Sequence, residues 1–140
     1  MQKIISSSRE ETLKVGEAIG KKLKKGDIIS LTGPLGAGKT VIIKGIAKSL
    51  NIEEEITSPS FTIISQYNGR LKLYHIDLYR IDNILEIEDL GFEEILYSDG
   101  VTAIEWGEKA ESLLPDETIK ISINIGQNQT REIILNRVII

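Results

Sequence analysis

No cysteine occurs among the 140 residues of the chain. That excludes a disulfide framework, a thiolate zinc site and a cysteine nucleophile together. There is one histidine, which excludes a metal site built on paired histidines and leaves a single candidate for imidazole catalysis. Positive charge is in the minority, with 17 Lys and Arg against 21 Asp and Glu and a net charge of −4. A dedicated nucleic-acid binder usually carries a basic balance, so direct binding of that kind is disfavoured. No stretch approaches the ~18 apolar residues of a spanning helix, and the opening MQKIISSSRE holds no apolar run of signal-peptide length. The expectation is a cytoplasmic protein with no membrane association. Repeats, low-complexity segments and linkers are also missing, and the 12 Gly and 3 Pro mark no boundary. Residues 1–140 therefore read as one domain. With 41% hydrophobic and 27% charged residues, the composition is that of an ordinary globular chain, able to bury roughly two-thirds of its unfolded surface.

The patterning is that of an α/β protein. Gln2–Ser6 is short and apolar enough for a strand. Ser8, with Glu10 and Glu11 behind it, reads as a helix start, and Leu13, Val15, Ala18, Ile19 and Leu23 recur at helical spacing. The Lys21–Lys25 cluster and Gly26 close that helix; a helix end explains these lysines better than an RNA contact does. Asp27–Thr32 is a continuous apolar run with the look of a strand buried on both faces. A glycine loop follows, then a helix from about Lys39 to Leu50. Ser58–Pro59 is a turn. Phe61–Tyr67 and Leu71–Asp77 alternate as strands joined by Asn68–Gly69, a hairpin signal. Asn83–Leu90 and Glu93–Tyr97 read as short helices. Val101–Trp106 is a second buried strand, and Glu108–Leu114 a short helix stopped by Pro115. Thr118–Ile125 and Arg131–Ile139 are late strands around a Gly126–Thr130 turn. Strands alternating with helices imply a mixed sheet with a parallel centre and an antiparallel part.

The most informative segment is Gly33-Pro34-Leu35-Gly36-Ala37-Gly38-Lys39-Thr40, a full match to G-x-x-x-x-G-K-[ST] between an apolar strand and a helix. Gly33, Gly36 and Gly38 allow backbone N–H groups to turn inward on phosphate oxygens without Cβ clashes. The helix opening at Lys39 adds its positive dipole end. Lys39 is placed to reach β- and γ-phosphates and Thr40 to ligate Mg²⁺. A plain glycine turn explains the glycines but not the Lys39–Thr40 pair. The expected fold is a P-loop NTPase-like three-layer α/β fold, a mixed sheet with a parallel centre flanked by helices.

Metal binding and water activation require a carboxylate near the phosphates, and ligands in open α/β sheets sit at the carboxyl ends of strands. Asp77 and Glu105 both end apolar runs, Glu105 in the manner of a Walker B strand. Spacing does not decide which one touches the metal. Thr57-Ser58-Pro59-Ser60 offers three hydroxyls that could sense a γ-phosphate, although a surface turn explains that spacing better. His75 shares a strand face with Asp77 and reads as a packed structural residue in preference to a catalyst. Trp106 is open between core and site.

Other phosphate-loop classes fit less well. The Asn-Lys-x-Asp guanine signature is missing. The five arginines, Arg9, Arg70, Arg80, Arg131 and Arg137, form no lid-like cluster. A small ATPase whose hydrolysis drives a partner is favoured over a nucleotide kinase; a nucleotide-dependent binding module is the alternative.

GPLGAGKT, SPSFTIISQY, HIDLYR and EWGE, in this order and at these intervals, resemble the TsaE (YjeE) family from about Ser8 to Arg131. The resemblance implies a bacterial ATPase required for threonylcarbamoyl modification of adenosine 37 in tRNAs reading ANN codons. It also implies work on the TsaB–TsaD heterodimer, with tRNA met through that complex and no transfer of the threonylcarbamoyl group by the chain itself. ATP and Mg²⁺ are the implied cofactors. Gly33, Leu35, Gly36, Ala37, Gly38, Lys39, Thr40 and Val41 would hold ATP. Thr40 and Glu105 would hold Mg²⁺, and Asp77 would serve hydrolysis through the metal shell or the attacking water. Ser60 would stand in a switch-like loop near the γ-phosphate, Trp106 beside the site, Ser8 or Arg9 near the adenine and Arg131 near the nucleotide. The chain departs from the family pattern at Ser60, where Thr is usual, and at Val41, where a hydroxyl residue often follows GKT. The first change keeps a hydroxyl; the second removes a possible α-phosphate contact.

Overall fold

A computed structural model describes residues 1–58 and 63–140. Pro59 of the expected turn, Ser60, and Phe61 and Thr62 at the start of an expected strand lie outside the described residues. The elements in chain order are β1 (Gln2–Ser6), α1 (Arg9–Lys22), β2 (Ile28–Thr32), α2 (Lys39–Ser49), β3 (Ile64–Tyr67), β4 (Leu73–Asp77), α3 (Ile84–Glu88), α4 (Phe92–Leu96), β5 (Val101–Glu105), a 3₁₀ segment (Gly107–Leu113), β6 (Ile119–Ile125) and β7 (Arg131–Asn136). The seven strands form one sheet in the order β1-β7-β6-β2-β5-β4-β3. β6, β2, β5 and β4 run parallel, while β1, β7 and β3 join antiparallel at the two sides. This is the mixed sheet with a parallel centre that the patterning predicts.

The period-two alternation of the strands splits the core between two faces. Ile29 and Leu31 of β2, Val101 and Ala103 of β5, and Ile121 and Ile123 of β6 pack under α1 and α2. Ile28, Ile76 and Ile104 face the other way, against Ile87, Phe92, Leu96 and Ala110. The sheet is thus covered on both sides, as parallel strands require.

Local chemistry sets α1 and α2. Ser8 caps α1, its Oγ accepting from the Glu11 amide at 3.1 Å, while Glu11 Oε1 accepts from the Ser7 amide at 2.9 Å. The two helices touch through glycine. A Cβ on Gly16 would lie 2.3 Å from the Ile42 carbonyl oxygen, and one on Gly45 2.2 Å from that of Leu13.

Several boundaries differ from expectation. Asn68–Gly69 is not a two-residue turn: Tyr67 pairs with Leu73, so residues 68–72 form the loop. That loop is held by α2, the Arg70 amide donating to the Leu50 carbonyl at 2.7 Å, and this tertiary anchor outweighs the local turn preference. β7 stops at Asn136 because Arg137 turns to φ 71°, where the extended ladder cannot continue. β5 ends at Glu105 because Trp106 adopts φ 60°. Residues 107–113 are 3₁₀, kinked at Ala110. Gly107 is packed so closely on β2 that a Cβ would meet Ser30 Oγ at 1.8 Å.

Candidate nucleotide site

β2 delivers the chain to the glycine loop at the carboxyl end of the parallel strands, and α2 leaves it. Gly33, Gly36 and Gly38 all have positive φ, at 146°, 80° and 117°. Close approach adds to the demand at Gly33, where a Cβ would lie 2.1 Å from the Ile123 carbonyl oxygen. No side chain among the described residues caps the N-terminus of α2, which leaves its positive dipole end open toward an anion.

Lys39 is only 4% exposed. Its Nζ donates to the carbonyl oxygens of Gly33 (2.5 Å) and Pro34 (3.0 Å) and stands 4.2 Å from the centroid of the Trp106 ring. Burial draws the Lys39 ammonium below its ordinary pKa of 10.5, opposed by the nearby charges of Glu105, then Glu108 and Asp77. Thr40 Oγ1 lies 3.0 Å from each carboxylate oxygen of Glu105 and donates to it. Glu105 Oε2 also meets His75 Nε2 at 2.6 Å.

Sheet register brings these groups together. Glu105 pairs with Leu31 on one side and with Asp77 on the other, so both acids stand at adjacent strand ends beside the loop. Their partners differ. Asp77 Oδ2 accepts from Ser58 Oγ at 2.8 Å and its Oδ1 from the Tyr79 amide at 2.9 Å. Trp106 is half-buried, its ring centroid 5.1 Å from that of Tyr79. A cleft of about 480 Å³ opens here, bordered by Leu35, Gly36, Gly38, Lys39, Thr40 and Val41 on the loop side. Ser58, Asp77, Tyr79, Arg80, Glu105 and Trp106 border it opposite.

A second cleft of about 260 Å³ adjoins it across Gly36, Gly38 and Val41 and is lined by Ser8, Arg9, Thr12, Ala37, Gln129 and Arg131. Arg131 turns its guanidinium onto the outside of the loop. Nε donates to the Ala37 carbonyl at 2.8 Å and a terminal nitrogen to that of Gly36 at 3.5 Å. Of the residues singled out from the sequence, Lys39, Thr40, Asp77, Glu105 and Trp106 thus surround one cleft, Ala37 and Arg131 the other. Gly33 contributes its carbonyl to Lys39 without lining either, and Ser60 lies outside the described residues. Sequence reasoning passes over Tyr79 and Arg80, although both stand in the HIDLYR motif. Ser58 reads from the sequence as part of a surface turn, and nothing in the spacing reveals its bond to Asp77. Lys109, which donates to the carbonyls of Tyr79 (2.7 Å) and Ile81 (2.8 Å), carries no sequence signal at all.

The donor chemistry fits a magnesium–nucleotide. Thr40 and Glu105 present hard oxygens to one point, and Lys39 with the open helix end supplies positive charge for phosphates. Among the described residues no three His, Asp or Glu side chains form an all-protein metal cage. Mg²⁺ needs none, since it keeps waters and binds through one or two protein oxygens plus substrate phosphates.

Fold and loop together define a P-loop-like α/β protein. The family profile described as "Threonylcarbamoyl adenosine biosynthesis protein TsaE" matches residues 6–133. The chain belongs to the TsaE family. A Treponema pallidum protein named tRNA threonylcarbamoyladenosine biosynthesis protein TsaE is 44% identical over 129 residues, covering 92% of this chain and 96% of its own. The Bacillus subtilis protein of the same name is 43% identical over 125 residues, covering 89% and 78%. The crystal structure of Bacillus subtilis YdiB superposes with a TM-score of 0.83 at 36% identity, over 96% of this chain and 83% of that one. No helix among the described residues is long and apolar enough to cross a membrane.

Proposed function

We propose that the chain is a Mg²⁺-dependent ATPase of tRNA threonylcarbamoyladenosine biosynthesis. Hydrolysis supports turnover of a TsaB–TsaD complex, and the chain itself does not transfer the threonylcarbamoyl group. The observation that carries the ATPase reading is the meeting of Lys39, Thr40 and Glu105 at one end of a 480 Å³ cleft beside the glycine loop. The names of the relatives support the pathway.

Lys39 and the N-terminal amides of α2 bind the phosphates, and the second cleft, with Ser8, Arg9 and Arg131 around it, takes the adenosine end. Thr40 and Glu105 hold the metal. When bound, Mg²⁺ neutralises developing charge on the β- and γ-phosphate oxygens. Asp77, fixed by Ser58 and the Tyr79 amide, serves hydrolysis through the metal shell or by orienting the attacking water. Trp106 and Tyr79 wall the cleft, limiting water around the reacting phosphate.

Phosphate release from ATP, measured with and without TsaB–TsaD and with and without Mg²⁺, tests this. Metal-dependent release stimulated by the pair, reduced by about 100-fold in Lys39→Ala, is expected. Transfer of phosphate to an added small molecule instead of to water would reassign the chain as a kinase. Metal-dependent hydrolysis with neither stimulation nor complex formation would remove the partner from the proposal.

A further inference from the structure

His75 is fully buried on β4, on the same face of the sheet as Asp77, yet it does not pack as an apolar filler. Its Nε2 lies 2.6 Å from Glu105 Oε2, the shortest contact that carboxylate makes among the described residues. Its Nδ1 is buried with no hydrogen-bond partner among the described residues. An ionised carboxylate only accepts, so the proton of this bond sits on Nε2. The imidazole is thus committed to one task, donating to Glu105.

That task has a geometric consequence. A Glu side chain carries three rotatable bonds, and Thr40 bonds both carboxylate oxygens at the same 3.0 Å, so Thr40 by itself selects neither oxygen. His75 breaks this symmetry by taking Oε2. We propose that His75 is a positioning residue for the metal site. It locks the Glu105 carboxylate in the rotation that meets Thr40, and so sets metal affinity without touching metal or nucleotide. The proposal rests on the assignment of Thr40 and Glu105 as the metal-holding pair. Partners that orient a ligating group alter metal affinity by about 10–100-fold when removed, which sets the size of the expected effect.

The test is Mn²⁺ binding to the full chain with ADP present, followed by electron paramagnetic resonance, beside ADP affinity in EDTA read from the fluorescence of Trp106. In His75→Leu, which keeps an apolar side chain in the buried space, Mn²⁺ affinity should fall at least about tenfold while metal-free ADP affinity changes little. In His75→Gln, whose amide nitrogen can stand near the Nε2 position, most of the affinity should return. His75→Asn places its amide at the Nδ1 position instead, short of Glu105, and should resemble His75→Leu. Should His75→Leu fail to fold, the Gln and Asn pair decides alone. Equal Mn²⁺ affinity in Gln and Asn variants, or a parallel loss of metal-free ADP binding, overturns the positioning role. Wild-type protein that binds ADP without any Mn²⁺ dependence overturns the metal-site assignment, and the positioning role with it.

Discussion

Lys39 holds a positive charge at a place where solvent hardly reaches it, and the consequence is measurable. Its folded pKa lies below the ordinary 10.5 because burial disfavours the ammonium. Over the window between its folded and unfolded pKa the unfolded chain binds more protons, so Lys39 makes stability rise with pH there. The charged side chain is a liability below that window, and the liability is gone above 10.5. Urea unfolding of wild type and Lys39→Met from pH 7 to 10.5 should show the variant more stable at neutral pH and the gap closing as pH rises; a gap independent of pH would contradict the burial effect. The Glu105 carboxylate, by contrast, is met by donors from Thr40 and His75. Glu105→Gln leaves one acceptor oxygen for His75 and puts an N–H group where the other oxygen accepts from Thr40. Stability should fall by about 1–3 kcal/mol, seen in chemical denaturation, and Mg²⁺-dependent turnover should fall by about 100-fold with metal-free nucleotide binding retained.

The helix pair α1–α2 is where element packing governs the site. Gly16 and Gly45 let the two backbones approach to a distance no side chain would permit. α2 begins at Lys39 and Thr40, so the pose of this helix on the sheet is the pose of the two residues proposed to meet phosphate and metal. Gly45→Ala gains helix propensity worth ~1 kcal/mol, but its methyl would stand 2.2 Å from a backbone oxygen that has nowhere to retreat. Overpacking of this kind costs about 1–3 kcal/mol. The net expectation is a lowered melting temperature together with weakened nucleotide binding, read by thermal denaturation and calorimetry. A rise in melting temperature would mean the helices separate freely. Arg70 ties the same pair from outside, donating to the Gly20 and Ser49 carbonyls near the two helix ends.

At the scale of the whole molecule, the sheet order brings distant segments onto one loop. β2 lies between β5, which carries Glu105, and β6, whose Ile123 carbonyl presses on Gly33. β7 contributes Arg131, whose bond to Ala37 spans 94 residues of sequence. By occupying the outward carbonyls of Gly36 and Ala37, Arg131 helps keep the loop's amides turned the other way. Arg131→Ala should leave the melting temperature nearly unchanged, because the side chain is half-exposed. Nucleotide affinity should fall by about tenfold by calorimetry, as expected for losing a charge-assisted bond. Unchanged affinity would reduce Arg131 to a surface strut.

What the sequence determined by itself is what neighbouring letters encode. The glycine loop with Lys39 and Thr40 is contiguous, so its chemistry is legible without knowing the fold. The buried runs around β2 and β5 announce strands covered on both faces, and Ser8 with Glu11 announces the start of α1. Asp77 and Glu105 are visible as acids ending apolar runs. Only the tertiary structure decided which partner each acid takes. The parallel register of β4, β5 and β2 sets Glu105 against Thr40 and His75, while the approach of Ser58 claims Asp77. It decided likewise that Asn68–Gly69 serves a loop held by α2, that β5 stops at a left-handed Trp106, and that Arg131 braces the loop. The physical reason is the same in each case. Local propensities are worth about 1 kcal/mol or less per residue, whereas a buried carboxylate, a close backbone approach or an unmet carbonyl costs more than that. Where such groups meet, contacts from far along the chain outweigh the preferences written in the neighbouring residues.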